Sequence, residues 1–180
     1  TPVVQAPLMF EAVSSGSLRK FFKDWVDIIA TSPADNLDGL LRAAARAIST
    51  KYLAYVGFFK ITVPFTNVIS ARARIYGTTL SIDSFYLYEY PGATDTITLS
   101  DWQNKGNLLG ATPDSIAPDF YFDLNAAGVA YVNSNTTCRF TIIPKAMIDN
   151  LPPTNSENVG HFIISTDPAA GCFLEVTTSS

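Results

Sequence analysis

The sequence has few of the residues that metal and redox chemistry require. Its 180 residues include two cysteines, Cys138 and Cys172, and a single histidine, His161. Two cysteines 34 positions apart and one histidine provide no metal-ligand spacing, which excludes a zinc-type site. Each cysteine lies in a run that alternates between apolar and polar residues, so each fits a buried strand position. A bridge between neighbouring strands is the alternative.

Charge is also scarce, and no segment is strongly basic. Charged residues make up 16% of the sequence and the net charge is −4. A nucleic-acid groove needs clustered cations to displace counterions from phosphates, so the composition argues against nucleic-acid binding. No apolar run reaches the ~20 residues of a membrane-spanning helix. A glycine-rich phosphate loop is absent as well.

Candidates for catalysis are correspondingly few. His161 opens the apolar run HFIIS, which is typical of a partly buried or edge-strand histidine rather than of a catalytic triad. Asp83 with Glu89, and Asp119 with Asp123, have the even spacing that places two acids on one strand face, but acids that only face solvent have the same spacing. We therefore expect a protein with no catalytic residues.

What the sequence does have is a succession of short strands. From residue 55 onward, apolar and polar residues alternate in runs that end at glycine, proline or asparagine, about every 8–12 residues. This pattern is typical of a β-sandwich or barrel. The first residues contain Pro2, Pro7, Gly16 and a serine cluster, which predict an extended N-terminal arm over residues 1–20 and a single domain over 21–180.

Residues 35–49, DNLDGLLRAAARAIS, fit two structures. Three consecutive alanines, with Arg42 and Arg46 at helical spacing, favour a helix on intrinsic propensity. Read as a strand, Arg42, Ala44 and Arg46 share one face, which is also a coherent half-buried pattern. Further along, FDLNAAGVAYV (122–132) predicts a short helical turn near residues 125–131, with Asn125 as its N-cap.

Several motifs follow one another in a suggestive order: VISARARIYG, FYLYEYPG, DWQNKGNLLG, DFYFDLNAAGVAYV and CFLEVTT. Their order resembles that of jelly-roll modules related to disaggregatase-type carbohydrate-binding domains, which occur in bacterial surface proteins and in structural proteins of bacteriophages. LNAAG is the most specific segment, and the match covers residues ~20–178. The resemblance implies an all-β jelly-roll sandwich, a strand at residues 40–49 and no shared catalytic set. Arg72 and Arg74 depart from the pattern, which has aliphatic residues there.

Aromatic residues are the candidates for a ligand site or an interface. In SFYLYEY (84–90), Tyr86, Tyr88 and Tyr90 fall on one side of a strand. Together with Trp102 and Phe120 they form either a platform on which a sugar stacks or the wall of a core or interface. We favour the core or interface, since buried tyrosines can direct their hydroxyls to a sheet edge or to water.

Four aspartates are the candidates for a structural calcium ion. Asp24 and Asp27 lie near the start of the chain, and Asp95 and Asp101 flank a loop. Calcium takes carboxylate and carbonyl oxygens in variable geometry, so these loop acids suit it. We expect no other cofactor.

These observations predict a non-enzymatic structural or attachment protein of a phage particle or a cell surface, located in the virion or outside the cell. It would self-associate through its arm and sheet faces, as a homo-oligomer or with an assembly partner. A carbohydrate-binding module that uses surface aromatic residues is the alternative.

Overall fold

The computed structural model describes residues 7–64, 66–76, 78–79, 85–92, 96–111, 119–154, 159–164 and 171–179. For residues 76, 78–79, 119–120 and 159–164 it describes the backbone alone. In this part of the chain it has twelve strands and three short α-helices. The strands are β1 (Leu8–Phe22), β2 (Asn36–Asp38), β3 (Leu41–Ile48), β4 (Lys51–Thr62), β5 (Val68–Tyr76), β6 (Thr78–Thr79), β7 (Phe85–Glu89), β8 (Leu108–Ala111), β9 (Asp119–Leu124), β10 (Thr137–Pro144), β11 (Val159–Ile164) and β12 (Cys172–Thr178). The helices are α1 (Trp25–Ile29), α2 (Ala126–Ser134) and α3 (Lys145–Ile148), with a 3-10 turn at Leu99–Asp101.

Eight of the strands close into an antiparallel barrel. They are neighbours in the order β1, β12, β5, β9, β8, β7, β10 and β4, and β4 pairs again with β1. The all-β prediction is therefore confirmed, but the jelly-roll sandwich is wrong. A sandwich keeps two separate sheets, whereas here the pairing of β1 with β4, from Ala12 opposite Ile61 to Phe22 opposite Tyr52, joins the two ends of one sheet.

The predicted N-terminal arm is part of this barrel from Leu8 onward. β1 pairs with β12 through its first four residues and with β4 through the rest, with a bulge between Ala12 and Ser14. The proposed boundary at residue 20 therefore falls inside a strand. Residues 1–6 of the predicted arm lie outside the described part of the chain.

The interior of the barrel follows from the alternation seen in the sequence. In β10, for example, Cys138, Phe140 and Ile142 are buried on the inner side. The same alternation in the other strands builds one apolar core, lined by Phe59, Ile61, Ala71, Ala73, Ile75, Phe85, Leu87, Leu109, Phe122, Cys138, Phe140, Ile142, Cys172, Leu174 and Val176. Both cysteines are buried and free, so they contribute as small apolar residues.

Residues 41–48 form the strand that the resemblance implied, not the helix that their alanines favour. β3 pairs with β4 on one edge and with β11 on the other, and Ala43, Ala44 and Ala45 are fully buried. Helix propensity differs among ordinary residues by less than ~0.7 kcal/mol per residue, so burial and two ladders of hydrogen bonds override it. Gly57 of β4 makes room for this strand, because a Cβ there would lie 2.8 Å from the Arg42 carbonyl oxygen.

β4 extends beyond the barrel and carries a second, smaller sheet. Its residues 57–62 pair with β10, whereas residues 51–55 pair with β3 on the same edge. The opposite edge pairs with β1, whose outer edge pairs with β2. We call this extension, made of β2, residues 16–22 of β1, residues 51–56 of β4, and β3, the side sheet.

A second apolar core lies between the outside of these strands and the short helices. It contains Leu18, Trp25, Ile28, Ala34, Ala45, Ala54, Val56, Phe58, Tyr88, Tyr90, Trp102, Ile143, Ala146 and Met147. α1 supplies Trp25 and Ile28, α3 supplies Ala146 and Met147, and Trp102 follows directly after the 3-10 turn. One side of the side sheet is therefore covered.

The predicted helical turn is confirmed as α2. Asn125 is its N-cap, and the Asn125 side-chain oxygen accepts a hydrogen bond of 2.9 Å from the Gly128 backbone N–H. A Cβ at Gly128 would lie 2.6 Å from the Leu109 carbonyl oxygen, so glycine allows the helix to pack closely on β8. Asn133 holds the other end, since its side chain bonds both the N–H and the C=O of Val68 at 2.9 Å.

Candidate functional site

The tyrosine row of β7 lines a core rather than an open surface. Phe85 and Leu87 point into the barrel, and the tyrosines point to the second core. Tyr88 is 9% exposed and Tyr90 6%, and the Tyr90 ring meets the Phe58 ring edge to face at 5.4 Å. Tyr88 and Tyr90 therefore lie in the second core, and Tyr86 is half-buried beside them.

Trp102, the other predicted stacking residue, is also a packing residue. It is 0% exposed, and its indole N–H donates a hydrogen bond of 2.8 Å to the Ile28 carbonyl oxygen. A sugar stacks on an aromatic face that solvent can reach, so Trp102 offers it none. The side chain of Phe120 lies outside the described residues.

Of the predicted calcium ligands, the three that the structure describes, Asp24, Asp27 and Asp101, do not form a group. Asp24 and Asp27 are exposed near α1, whereas the Asp101 carboxylate accepts hydrogen bonds from the Thr98 N–H at 2.8 Å and from the Asn104 side chain at 3.0 Å. Burial opposes ionisation of Asp101, but these hydrogen bonds outweigh it and lower its pKa. Asp95 lies outside the described residues. Within the described part of the chain, no three His, Cys, Asp or Glu residues are grouped as metal ligands.

The residues considered for catalysis are placed as follows. The backbone of His161 lies in β11 opposite Ala44, and its side chain is not among those described. Asp83 and the side chain of Asp119 also lie outside that part of the chain. Burial raises the pKa of Cys138 to about 12, and it also raises the pKa of Cys172, so both thiols are protonated at neutral pH.

A different surface lies on the side of the side sheet opposite to the second core, where Phe21 is exposed, Arg42 and Arg46 are half-buried and Tyr55 is buried. Residues directly opposite each other in antiparallel strands share a face. Arg19 of β1 lies opposite Tyr55 of β4, which lies opposite Ala44 of β3. Two residues further along each strand, on the same face, Phe21 lies opposite Leu53, which lies opposite Arg46. We call this surface the arginine face, and it comprises Arg19, Phe21, Arg42, Arg46, Lys51, Leu53 and Tyr55.

Tyr55 lies at the centre of the arginine face and orients its neighbours. The Arg42 guanidinium lies 5.2 Å from the Tyr55 ring centre, and its Nη1 donates to the Tyr55 hydroxyl at 3.1 Å. The same nitrogen lies 3.3 Å from a carboxylate oxygen of Asp38, and Arg19 Nε lies 3.2 Å from one of Asp35. Asp35 therefore forms an ion pair with Arg19, and Asp38 forms one with Arg42.

Two arginines of the arginine face are not fully hydrogen-bonded. The Nε–H groups of Arg42 and Arg46 are buried, and no described group accepts a hydrogen bond from either. Lys51 Nζ lies 5.0 Å above the ring of Phe21, whose side chain is exposed. Guanidinium groups arranged in this way are suited to carboxylates, which can accept two parallel hydrogen bonds from one arginine.

The sequence pattern indicates part of the arginine face but does not identify it as a site. Even spacing put Arg42, Ala44 and Arg46 on one face once the segment was read as a strand. Arg19 is remote in sequence, and only the pairing of β1 with β4 brings it to the same face. The basic character of the surface is therefore a product of the fold.

Two further findings concern the chain as a whole. None of the helices in the described ranges is both long and apolar enough to cross a membrane. No protein-family model matches the sequence, and no curated protein matches it, so the likeness to jelly-roll modules stays a prediction from its motifs.

Proposed function

We propose that this chain is a non-enzymatic structural protein that self-associates, with the arginine face as its contact surface for a second copy. The observation that carries the proposal is the concentration of four cations around the exposed Phe21 on one face of the side sheet: Arg19, Arg42, Arg46 and Lys51. Guanidinium groups on such a face are suited to carboxylates of another molecule.

Charge complementarity favours a second copy as the partner. The arginine face has four cations, with Asp35 and Asp38 beside it, which gives a local charge of +2. The whole chain has 12 cations and 16 acids. Subtracting these four cations and two acids leaves 8 cations and 14 acids, or −6, for the rest of the molecule. Each copy thus offers acidic surface that attracts the arginine face of another.

Apolar contacts support the same proposal. Phe21 is 38% exposed on the arginine face. An exposed aromatic side chain amid guanidinium groups is typical of protein interfaces, in which arginine and aromatic residues are enriched. The setting that we propose, a phage particle or a cell surface, is supported only by the likeness of the motifs.

Light scattering on matched variants tests the proposal. Arg42→Gln/Arg46→Gln removes two cations from the arginine face, and Arg72→Gln/Arg74→Gln removes two from β5 on the barrel. We expect the wild-type chain and the β5 variant to associate alike, and the first variant to remain at the 19.5 kDa of one chain. Equal association of all three proteins would contradict the proposal. Thermal melts of each variant confirm that it is folded.

A further inference from the structure

α1 presents two carboxylates on the side of the side sheet opposite to the arginine face. Its Trp25 and Ile28 are buried in the second core, whereas Val26 and Asp27 are exposed, as are Asp24 and Lys23 just before the helix. Val26 is 66% exposed, which is unusually high for a large apolar side chain. We call Asp24, Val26 and Asp27 the α1 surface.

The register of β4 shows that the two surfaces lie on opposite sides of one sheet. Trp25 of α1 meets the ring of Tyr52 edge to face at 5.4 Å. Tyr55 is three positions further along the same strand and therefore points to the other side, where it lies at the centre of the arginine face. One copy thus carries an acidic surface and a basic surface back to back.

A buried lysine fixes α1 in this position. Lys20 is 0% exposed, and its ammonium group donates hydrogen bonds to the carbonyl oxygens of Asp27 at 3.1 Å and Ala30 at 2.7 Å, and to the Ser32 hydroxyl at 3.0 Å. A cation at the end of a helix also interacts favourably with the helix dipole. The α1 surface is therefore held rigidly against the sheet, so docking it costs little ordering entropy.

We infer that the α1 surface of one copy docks on the arginine face of the next, so that the copies associate head to tail. This inference rests on the proposed function and names the partner surface. The carboxylates of Asp24 and Asp27 would accept hydrogen bonds from the guanidinium groups, and Val26 would contact Phe21. The two surfaces differ, so the contact is heterologous, and its repetition gives a ring or an open filament.

A mixing experiment tests this geometry. Asp24→Asn/Asp27→Asn removes the charge of the α1 surface, and the side chain of Asp24 makes no capping hydrogen bond that the change would break. Arg42→Gln/Arg46→Gln removes the charge of the arginine face. Each variant alone should be a monomer, because every contact needs one surface of each kind. An equimolar mixture should form a one-to-one dimer, in which each chain contributes its intact surface.

The outcomes separate this inference from the proposed function. If the wild-type chain associates and the Asp24→Asn/Asp27→Asn variant associates equally well, the head-to-tail inference is wrong and the proposed function stands. A mixture that contains only monomers, with both variants folded, also overturns the inference. A wild-type chain that is monomeric at every concentration overturns both. Native mass spectrometry reads the one-to-one composition directly, since the two variants differ in mass.

Discussion

Replacing Lys20 by methionine tests how the second core is held together. Methionine has a similar volume but no donors, so the change leaves the carbonyl oxygens of Asp27 and Ala30 and the Ser32 hydroxyl without the ammonium group. Hydrogen bonds from a charged donor contribute about 1.5–3 kcal/mol each, so three amount to roughly 6 kcal/mol. Removing the buried charge returns several kcal/mol of desolvation cost, and we take about 4 kcal/mol for it.

The net prediction for Lys20→Met is a loss of about 2 kcal/mol in the free energy of unfolding. For a chain of this size, that lowers Tm by about 4–8 °C. Thermal and urea unfolding, followed by tryptophan fluorescence, measure the change. A variant as stable as the wild type, or more stable, would refute the reasoning, because it would show that the buried charge costs at least as much as its three hydrogen bonds contribute.

The pH dependence of the stability difference between the wild type and the Lys20→Met variant provides a second measurement. Burial lowers the pKa of Lys20 below its ordinary value of 10.5, despite the opposing attraction of Asp27 and Asp35. Between the folded and the unfolded pKa, the unfolded chain binds more protons, so the contribution of this lysine to stability increases with pH in that window. The Lys20→Met variant lacks this contribution. The stability difference between wild type and variant should therefore increase as the pH approaches 10.5.

Two further predictions concern packing and alkaline pH. Gly57→Ala places a Cβ 2.8 Å from the Arg42 carbonyl oxygen and should lower the free energy of unfolding by about 1–3 kcal/mol. Gly39→Ala is the control, because its Cβ meets nothing within 4 Å and should change that free energy by less than ~0.5 kcal/mol. Equal effects of the two changes in urea unfolding would contradict the close approach of β3 to β4. Burial raises the pKa of Tyr90 and of Tyr131 to about 12, so the stability that each contributes is fully present below pH 10 and is lost as the pH rises from 10 to 12. Tyr131→Phe should flatten the fall in the urea midpoint across that range, and an unchanged slope would contradict the assignment.

The sequence predicts most of the local structure because local structure depends on alternation and capping. The strand period placed Phe140 and Ile142 on one face of β10, and LNAAG identified α2 with Asn125 as its cap. Both signals lie within about ten neighbouring residues. They therefore do not depend on which strand pairs with which.

The errors came from features that only distant contacts determine. The serines and Gly16 of β1 have weak strand propensity, and pairing with β4 supplies what the local sequence lacks. Closure of the barrel depends on that same pairing, and an alternating strand looks identical in a sandwich and in a barrel. The arginine face could not be predicted for the same reason, since only the pairing of β1, β4 and β3 puts Arg19 and Arg46 on one face.

The most direct test of the central claim is the mass of the wild-type chain by light scattering, as a function of protein concentration at low and at high salt. An interface of guanidinium and carboxylate groups weakens as salt screens them. We predict a mass that rises with concentration above 19.5 kDa at low salt and returns toward that value at high salt. A constant 19.5 kDa, or association that salt leaves unchanged, would contradict the account.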